Sequence, residues 1–144
     1  VSIEVFLAEA LLGLREPERI ELQVAPEASH TANLLPLQAA AQAIRNLLQN
    51  ALDASPSGMS VLLRAELVEQ GWKICVVDHG SGMEPDILQR IGEPFFTTKE
   101  PGRGMGLGLH LTQNVIGRLD GSLGFDSRPG QGTTATVILP SLRS

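Results

Sequence analysis

Apolar residues along this chain fall into blocks that alternate between helical and strand periods. Between residues 3 and 14 they return at steps of three and four, which predicts a helix. After a turn at Pro17, the alternation Ile20, Leu22, Val24 predicts a strand over 19–24. Leu37, Ala41, Ile44, Leu48 and Ala51 keep helical steps over 36–55, with Pro36 suited to the N-terminal turn. Two runs rich in Val, Leu and Ile, 60–68 and 72–78, are divided by Gln70-Gly71 and predict a hairpin whose second strand is apolar enough to be central. A Gly turn at 80–82, a short helix over 85–91 and an irregular Gly-rich stretch over 92–106 follow. The last helix is predicted over 107–119, with Leu107, Leu111, Val115 and Leu119 as its apolar face and Gly121 as its stop. Strands over 122–127 and 133–139 close the chain around Pro129-Gly130-Gln131-Gly132. That closing hairpin excludes a purely parallel sheet, so the pattern predicts one α/β domain over 1–144, with helices on one face of a mixed sheet.

Composition narrows the chemistry. A net charge of −5, with Lys73 and Lys99 the only lysines in 144 residues, argues against the broad basic surface that nucleic acid needs. The single cysteine, Cys75, lies in the apolar run Ile74 to Val77, so a disulfide framework is excluded and a structural thiol is expected. No apolar stretch approaches the roughly 20 residues of a membrane span, and no basic leader opens the chain. No direct membrane contact by these residues is expected.

Three features carry candidate chemistry. Gln42, Asn46, Asn50 and Asp53 recur at steps of four, four and three, so they share a face of the second helix. Asn and Asp are poor helix formers, and a merely solvated face favours stronger ones. The functional reading turns this face, Asp53 included, into a polar site in which Asn50 offers its carbonyl oxygen to Mg²⁺. The plain alternative is polarity toward water or another domain.

The second feature is Asp78-His79-Gly80-Ser81-Gly82-Met83, an acid at the end of the central strand. Taken alone it is better explained as a turn former. The sharper reading gives its carboxylate the exocyclic amine of adenine, with Gly80 and Gly82 letting the chain approach the base. The third is Gly102-Arg103-Gly104-Met105-Gly106-Leu107-Gly108, alternating glycines that run into a helix, where backbone N–H groups and the helix N-terminus could wrap phosphate oxygens. Alternating glycine also occurs in ligand-free flexible loops. No P-loop is present, and the match of Gly130-Gln131-Gly132-Thr133-Thr134-Ala135 to a dinucleotide fingerprint leads into a strand, which disqualifies it. His30, His79 and His110 show no metal-ligand spacing and read as surface or incidental residues.

Taken in order, these features resemble the catalytic domain of sensor histidine kinases, in the ATPase superfamily shared with gyrase, MutL and the ninety-kilodalton heat-shock chaperones. Asn46-Leu47-Leu48-Gln49-Asn50-Ala51 is similar to the family's N box, Asp78-x-Gly80-x-Gly82 to its first glycine box, and Glu93-Pro94-Phe95-Phe96-Thr97-Thr98-Lys99 to its F box. Gly104-x-Gly106-Leu107-Gly108-Leu109 resembles the second glycine box and Gly130-x-Gly132-Thr133 the terminal one, so the likeness spans 42–139. The resemblance implies a two-layer α/β sandwich of the Bergerat type, with about five strands, three main helices and a mobile ATP lid over 93–106. It implies ATP and Mg²⁺ as ligands, with Asn50 on the metal, Asp78, Gly80 and Gly82 at adenine, and Thr133 near the base. Gly104, Gly106, Leu107 and Gly108 would cradle the phosphates, with Asn46 and Lys99 as catalytic residues beside them. The stretch from Phe95 to Leu109 also resembles the branch containing redox-responsive regulators of photosynthesis.

One position separates kinase from hydrolase within that superfamily. The gyrase and chaperone branches carry a water-activating glutamate four residues before the magnesium Asn, where this chain has Asn46, an amide that is no general base at neutral pH. The 144 residues also contain no His-Glu or His-Asp pair. The resemblance therefore implies γ-phosphoryl transfer to a histidine on a separate dimerisation and phosphoacceptor domain, with a response regulator as the next partner. The setting expected is cytoplasmic, in a parent anchored in the inner membrane, with the helix before Pro17 a remnant near the domain junction. Two rivals stand beside this expectation: a serine kinase of the anti-sigma-factor type, and a nucleotide-binding interaction module without activity.

Overall fold

The computed structural model describes residues 1–56, 58–80, 107–127 and 130–140, with 107–110 described as backbone only. Helix α1 (Ile3–Leu11) is capped by Ser2, whose hydroxyl accepts from the Val5 N–H. It ends three residues short of the predicted limit, before Gly13, which holds φ +79°. That left-handed conformation stops a helix and suits glycine best. A 3₁₀ turn (Pro17–Arg19) leads into β1 (Ile20–Val24). Helix α2 (Leu37–Ala54) follows, flanked by Pro36 and Ser55, then β2 (Val61–Val68) and β3 (Gly71–Val77). The β2–β3 register pairs Val68 with Gly71, so the turn falls on Glu69 and Gln70, one residue earlier than predicted. Helix α3 (Leu107–Arg118), β4 (Ser122–Ser127) and β5 (Thr133–Pro140) complete the described elements. The predicted short helix over 85–91 lies outside the described residues.

The five strands form one mixed sheet in the order β1-β2-β3-β5-β4, with β1 parallel to β2 and the other pairs antiparallel. As its apolar content predicts, β3 is the central strand. Alternate residues of the three middle strands, Val61, Leu63 and Ala65, Trp72, Ile74 and Val76, and Ala135, Val137 and Leu139, are buried on one face. They join Ala41, Ile44, Leu48 and Ala51 of α2 in a common core, so α2 buries the apolar stripe its sequence predicts. Phe6 of α1 packs on Trp72 with ring centroids 5.5 Å apart, and the indole N–H donates to Thr31 Oγ1 at 3.0 Å.

Helix α3 keeps part of its predicted face, with Val115 and Leu119 packed against the core, and departs from it at Leu111. Leu111 is 55% exposed, whereas Thr112 and Ile116 are buried. The physical reason is drift: each step of four residues advances about 40° beyond a full turn, so a stripe built only of such steps winds away from the core.

The end of α2 is fixed by one side chain. Arg19 donates from Nε to the Met59 carbonyl at 2.9 Å and from its terminal nitrogens to the carbonyls of Leu52, Ser55 and Pro56 at 3.4, 3.3 and 2.9 Å. Its guanidinium also pairs with Glu16 at 2.7 Å. The Leu52 carbonyl is one that the last turn of α2 leaves without an intrahelical partner, Ser55 is the C-cap, and Pro56 and Met59 belong to the turn that follows; a cation there also favours the helix dipole. Replacing Arg19 by Ala is therefore expected to lower unfolding stability by about 2 kcal/mol in urea titrations, with Lys recovering only part because it lacks the planar fork. An unchanged midpoint would mean that water serves these carbonyls equally well.

Candidate functional site

The polar stripe of α2 faces two neighbours. Gln42 Nε2 donates to Asn46 Oδ1 at 2.9 Å, and Asn46 Nδ2 donates to Thr112 Oγ1 of α3 at 3.3 Å. Asn46, Asn50 and Asp53 are half-buried, while Gln42 is exposed. Asp53 Oδ1 accepts from Gln49 Nε2 at 3.0 Å and from Arg15 Nη2 at 3.5 Å. Asn50 stands one turn after Asn46 on this face, as its i, i+4 spacing requires. Gly13 and Arg15 oppose Gln42, Arg45, Asn46 and Gln49 across an open cleft of about 250 Å³.

Asp78 closes the other half of the arrangement. It follows the last residue of β3 and is 9% exposed. Its N–H donates to the Thr133 carbonyl at 2.9 Å, and its Oδ1 accepts from the N–H groups of Gly80 and Thr133 at 2.9 and 3.0 Å. Both described bonds to the carboxylate fall on Oδ1. Burial pushes the Asp78 carboxyl above the ordinary range, opposed by the Gly80 and Thr133 bonds and by His79. Thr133 thus acts on Asp78 through its backbone, while its hydroxyl pairs with Ser127 Oγ at 2.8 Å.

The turn after Asp78 is pinned to α2. The His79 N–H donates to Ser55 Oγ at 3.2 Å, and its Nδ1 lies 2.9 Å from the Ser60 carbonyl, a contact that makes Nδ1–H the donor. The His79 ring is therefore anchored rather than incidental. A Cβ on Gly80 would stand 2.7 Å from the Ala54 carbonyl, so this glycine serves the approach of the turn to the end of α2. At Gly132, φ is +79° and a Cβ would stand 2.3 Å from the Asp78 carbonyl. Together they bring the end of α2, the end of β3 and the start of β5 to one place.

Gly82, Lys99, Gly104 and Gly106 lie outside the described residues, as do the whole 93–106 segment and Arg103. Leu107 opens α3 and Gly108 follows within its first turn, both described as backbone only. Four contributors escaped the sequence reading. Thr112, a buried hydroxyl against Asn46, was hidden by the misplaced α3 stripe; Arg15, Arg19 and Ser55 act across long sequence separations that leave no local pattern. Among the described residues no group of three His, Cys, Asp or Glu could hold a metal by itself. The donors that α2 presents suit Mg²⁺, which keeps waters and phosphate oxygens as ligands beside one or two protein oxygens. Nor is any helix among the described residues long and apolar enough to cross a membrane.

The chain is similar to several known proteins. Sensor kinase CckA of Brucella abortus is 37% identical over 142 residues, covering 85% of this chain and 15% of CckA. Two-component sensor PprA of Pseudomonas aeruginosa is 44% identical over 106 residues, covering 69% of this chain and 11% of PprA. The chain thus spans a small part of the curated relatives it matches. Among solved structures, the mycobacterial sensor histidine kinase MprB superposes with a TM-score of 0.83 at 24% identity, covering 100% of this chain and 99% of that one, a likeness of fold. Full-length ShkA in complex with AMPPNP superposes with a TM-score of 0.74 at 28% identity, covering 100% of this chain and 31% of ShkA. The pattern of the histidine kinase-, DNA gyrase B-, and HSP90-like ATPases matches residues 37–143, and the chain belongs to that family.

Proposed function

We propose that residues 1–144 form one catalytic and ATP-binding domain that binds ATP·Mg²⁺ and transfers the γ-phosphoryl group to a histidine on a separate dimerisation domain of a two-component sensor kinase. The observation that carries this reading is the buried Asp78 carboxylate, oriented by two backbone donors at the end of the helix bearing Asn46 and Asn50. The named relatives are sensor kinases, and the ShkA structure contains an ATP analogue, which supports the same assignment.

Each role follows from what the group can do. Asp78 is an acceptor for the exocyclic amine of adenine, and its buried setting disfavours a water in that place. Gly80 and Gly132 hold it there, and Thr133 fixes its rotamer; Gly82 would spare the base a side chain. Asn50 offers an uncharged oxygen to Mg²⁺, while Asp53 lies one turn further along the phosphate face. Gly104, Gly106, Leu107 and Gly108 would offer backbone N–H groups, and Lys99 a cation, to the phosphates. Bound Mg²⁺ would neutralise charge on the β- and γ-oxygens. Asn46, held by Gln42 and Thr112, orients its amide toward the phosphates but cannot take a proton from water, so intrinsic hydrolysis is slow. The attacking group must therefore bring its own nucleophilicity, as an imidazole on the dimerisation domain does. A response regulator would then receive the phosphoryl group, in the cytoplasm where ATP is available, with the parent anchored in the inner membrane.

Mixing the chain with γ-labelled ATP and a histidine-bearing dimerisation domain of its parent is expected to place the label on that histidine. Label on serine would move the assignment to a serine kinase, and tight ATP binding without transfer would leave an interaction module. Asn50→Ala is expected to remove most of the Mg²⁺-dependent gain in ATP affinity, about tenfold, with Mg²⁺-free binding little changed. Equal losses with and without Mg²⁺ would take Asn50 off the metal.

Asp78 also sets a pH dependence. Its folded pKa lies above the unfolded value, so its stabilising contribution is full below the ordinary carboxylate range and is lost as pH rises through the folded value. Asp78→Asn is expected to match the parent in stability at about pH 3 and to exceed it at pH 7, while ATP affinity falls about tenfold or more. A variant less stable than its parent at pH 7 would contradict the burial argument.

A further inference from the structure

Arg45 carries its charge into the boundary between α1 and α2 with no acid among the described residues to meet it. The residue is half-buried, and its terminal nitrogens donate to Gln42 Oε1 at 2.7 Å and to the Glu9 carbonyl at 2.6 Å, both uncharged oxygens. Its Nε is buried and has no hydrogen-bond partner among the described residues, whose ion pairs join other cations. An ionised group taken partly out of water costs free energy until a countercharge reaches it. Arg45, Gln42, Asn46 and Gln49 form one wall of the open cleft of about 250 Å³, and Gly13 and Arg15 form the other. The Arg15 side chain is 73% exposed. Two guanidinium groups and no acid line this cleft, in a chain whose net charge is −5.

A cleft lined by guanidinium groups takes carboxylate or phosphate. Its volume is below the roughly 300 Å³ at which sites for whole small-molecule ligands begin, so the group that fits is a single anionic side chain or an ion of that size. Position favours the side chain. Asn46 lines the same cleft and is the residue assigned above to the edge of the phosphates, where the acceptor histidine has to arrive. An anion carried on the acceptor's own domain enters together with it, at the high effective concentration of a tethered group, and meets Arg45 only when the acceptor is docked. We propose that this cleft is a docking point for the phosphoacceptor domain and takes a carboxylate of its histidine-bearing helix between Arg15 and Arg45. The inference rests on the phosphotransfer reading and adds to it the surface that recognises the acceptor.

Initial rates of γ-label transfer from the whole chain to its dimerisation domain, over a range of domain concentrations, test it, with calorimetric titration by ATP·Mg²⁺ alongside. Arg45→Gln keeps a donor but not the charge. It is expected to raise the KM for the acceptor domain about fivefold at low salt, with the gap narrowing as salt is raised, and to leave ATP affinity within about twofold of the unaltered chain. Arg45→Lys, which keeps the charge, is expected to recover most of the loss. Changing the exposed acids of the histidine-bearing helix to their amides one at a time is expected to find one whose effect on KM matches that of Arg45→Gln and does not add to it. A merely structural role, acting through the bond to Gln42 and from there on Asn46, would lower kcat rather than raise KM and would show no coupled acid. An unchanged KM, a fall in ATP affinity as large as the rise in KM, or the lack of any coupled acid would each overturn the proposal while the phosphotransfer reading stands. An unaltered chain that binds ATP but labels no histidine would remove that reading, and this inference with it.

Discussion

The carboxylate of Asp78 is buried at the one point where the central strand, the last strand and the second helix meet, and the local structure is organised around holding it there. Thr133 and Gly80 donate to Oδ1, and the Asp78 N–H returns a bond to the Thr133 carbonyl. That exchange requires the β5 backbone to come so close that Gly132 has no room for a Cβ. Gly80 has none against Ala54 for the same reason, and Ser55 takes the His79 N–H. Burying a carboxylate costs free energy that two hydrogen bonds offset only in part, which is why its proton affinity is raised. Stability alone does not favour such a group, so its presence argues for a ligand that needs a fixed acceptor.

Helix α2 serves both layers of that arrangement. Among the described residues its apolar stripe is the largest helical contribution to the core, and its opposite stripe carries Asn46, Asn50 and Asp53. A shift of the helix along its axis would move the polar groups relative to Asp78. Arg19 resists such a shift by gripping the carbonyls of Leu52, Ser55 and Pro56 at the helix end and that of Met59 in the turn beyond, and Arg45 ties the middle of α2 to the Glu9 carbonyl of α1. The geometry between the polar face of α2 and the Asp78 carboxylate is thereby set by the fold itself, which is the condition under which the proposed ligand would bind without a large ordering cost.

Much of this was legible in the sequence because its strongest signals are local. The stripe of α2 persists over 18 residues, long enough for a period to be unambiguous, and the apolar run of β3 marks a central strand. Asp78 stood out as an acid ending that run. The face of α3 was misread at Leu111, which is exposed although Val115 and Leu119 of the same stripe pack on the core, and Thr112, polar by type, was passed over although it is buried. Gly80 was read through the base it could approach, whereas its tightest contact is the Ala54 carbonyl, 26 residues away in the chain. Arg15, Arg19 and Ser55 belong to the same class: their partners lie 24 to 40 residues distant, and no periodicity encodes them.

The central claim is that a buried acceptor selects adenine at this junction. It is tested most directly by calorimetric titration of the unaltered chain with non-hydrolysable ATP and GTP analogues in the presence of Mg²⁺. The account predicts binding of the adenine analogue at least about tenfold tighter than the guanine one, because guanine presents a carbonyl oxygen where adenine presents the amine. Equal binding of the two, or tighter binding of the guanine analogue, would contradict it.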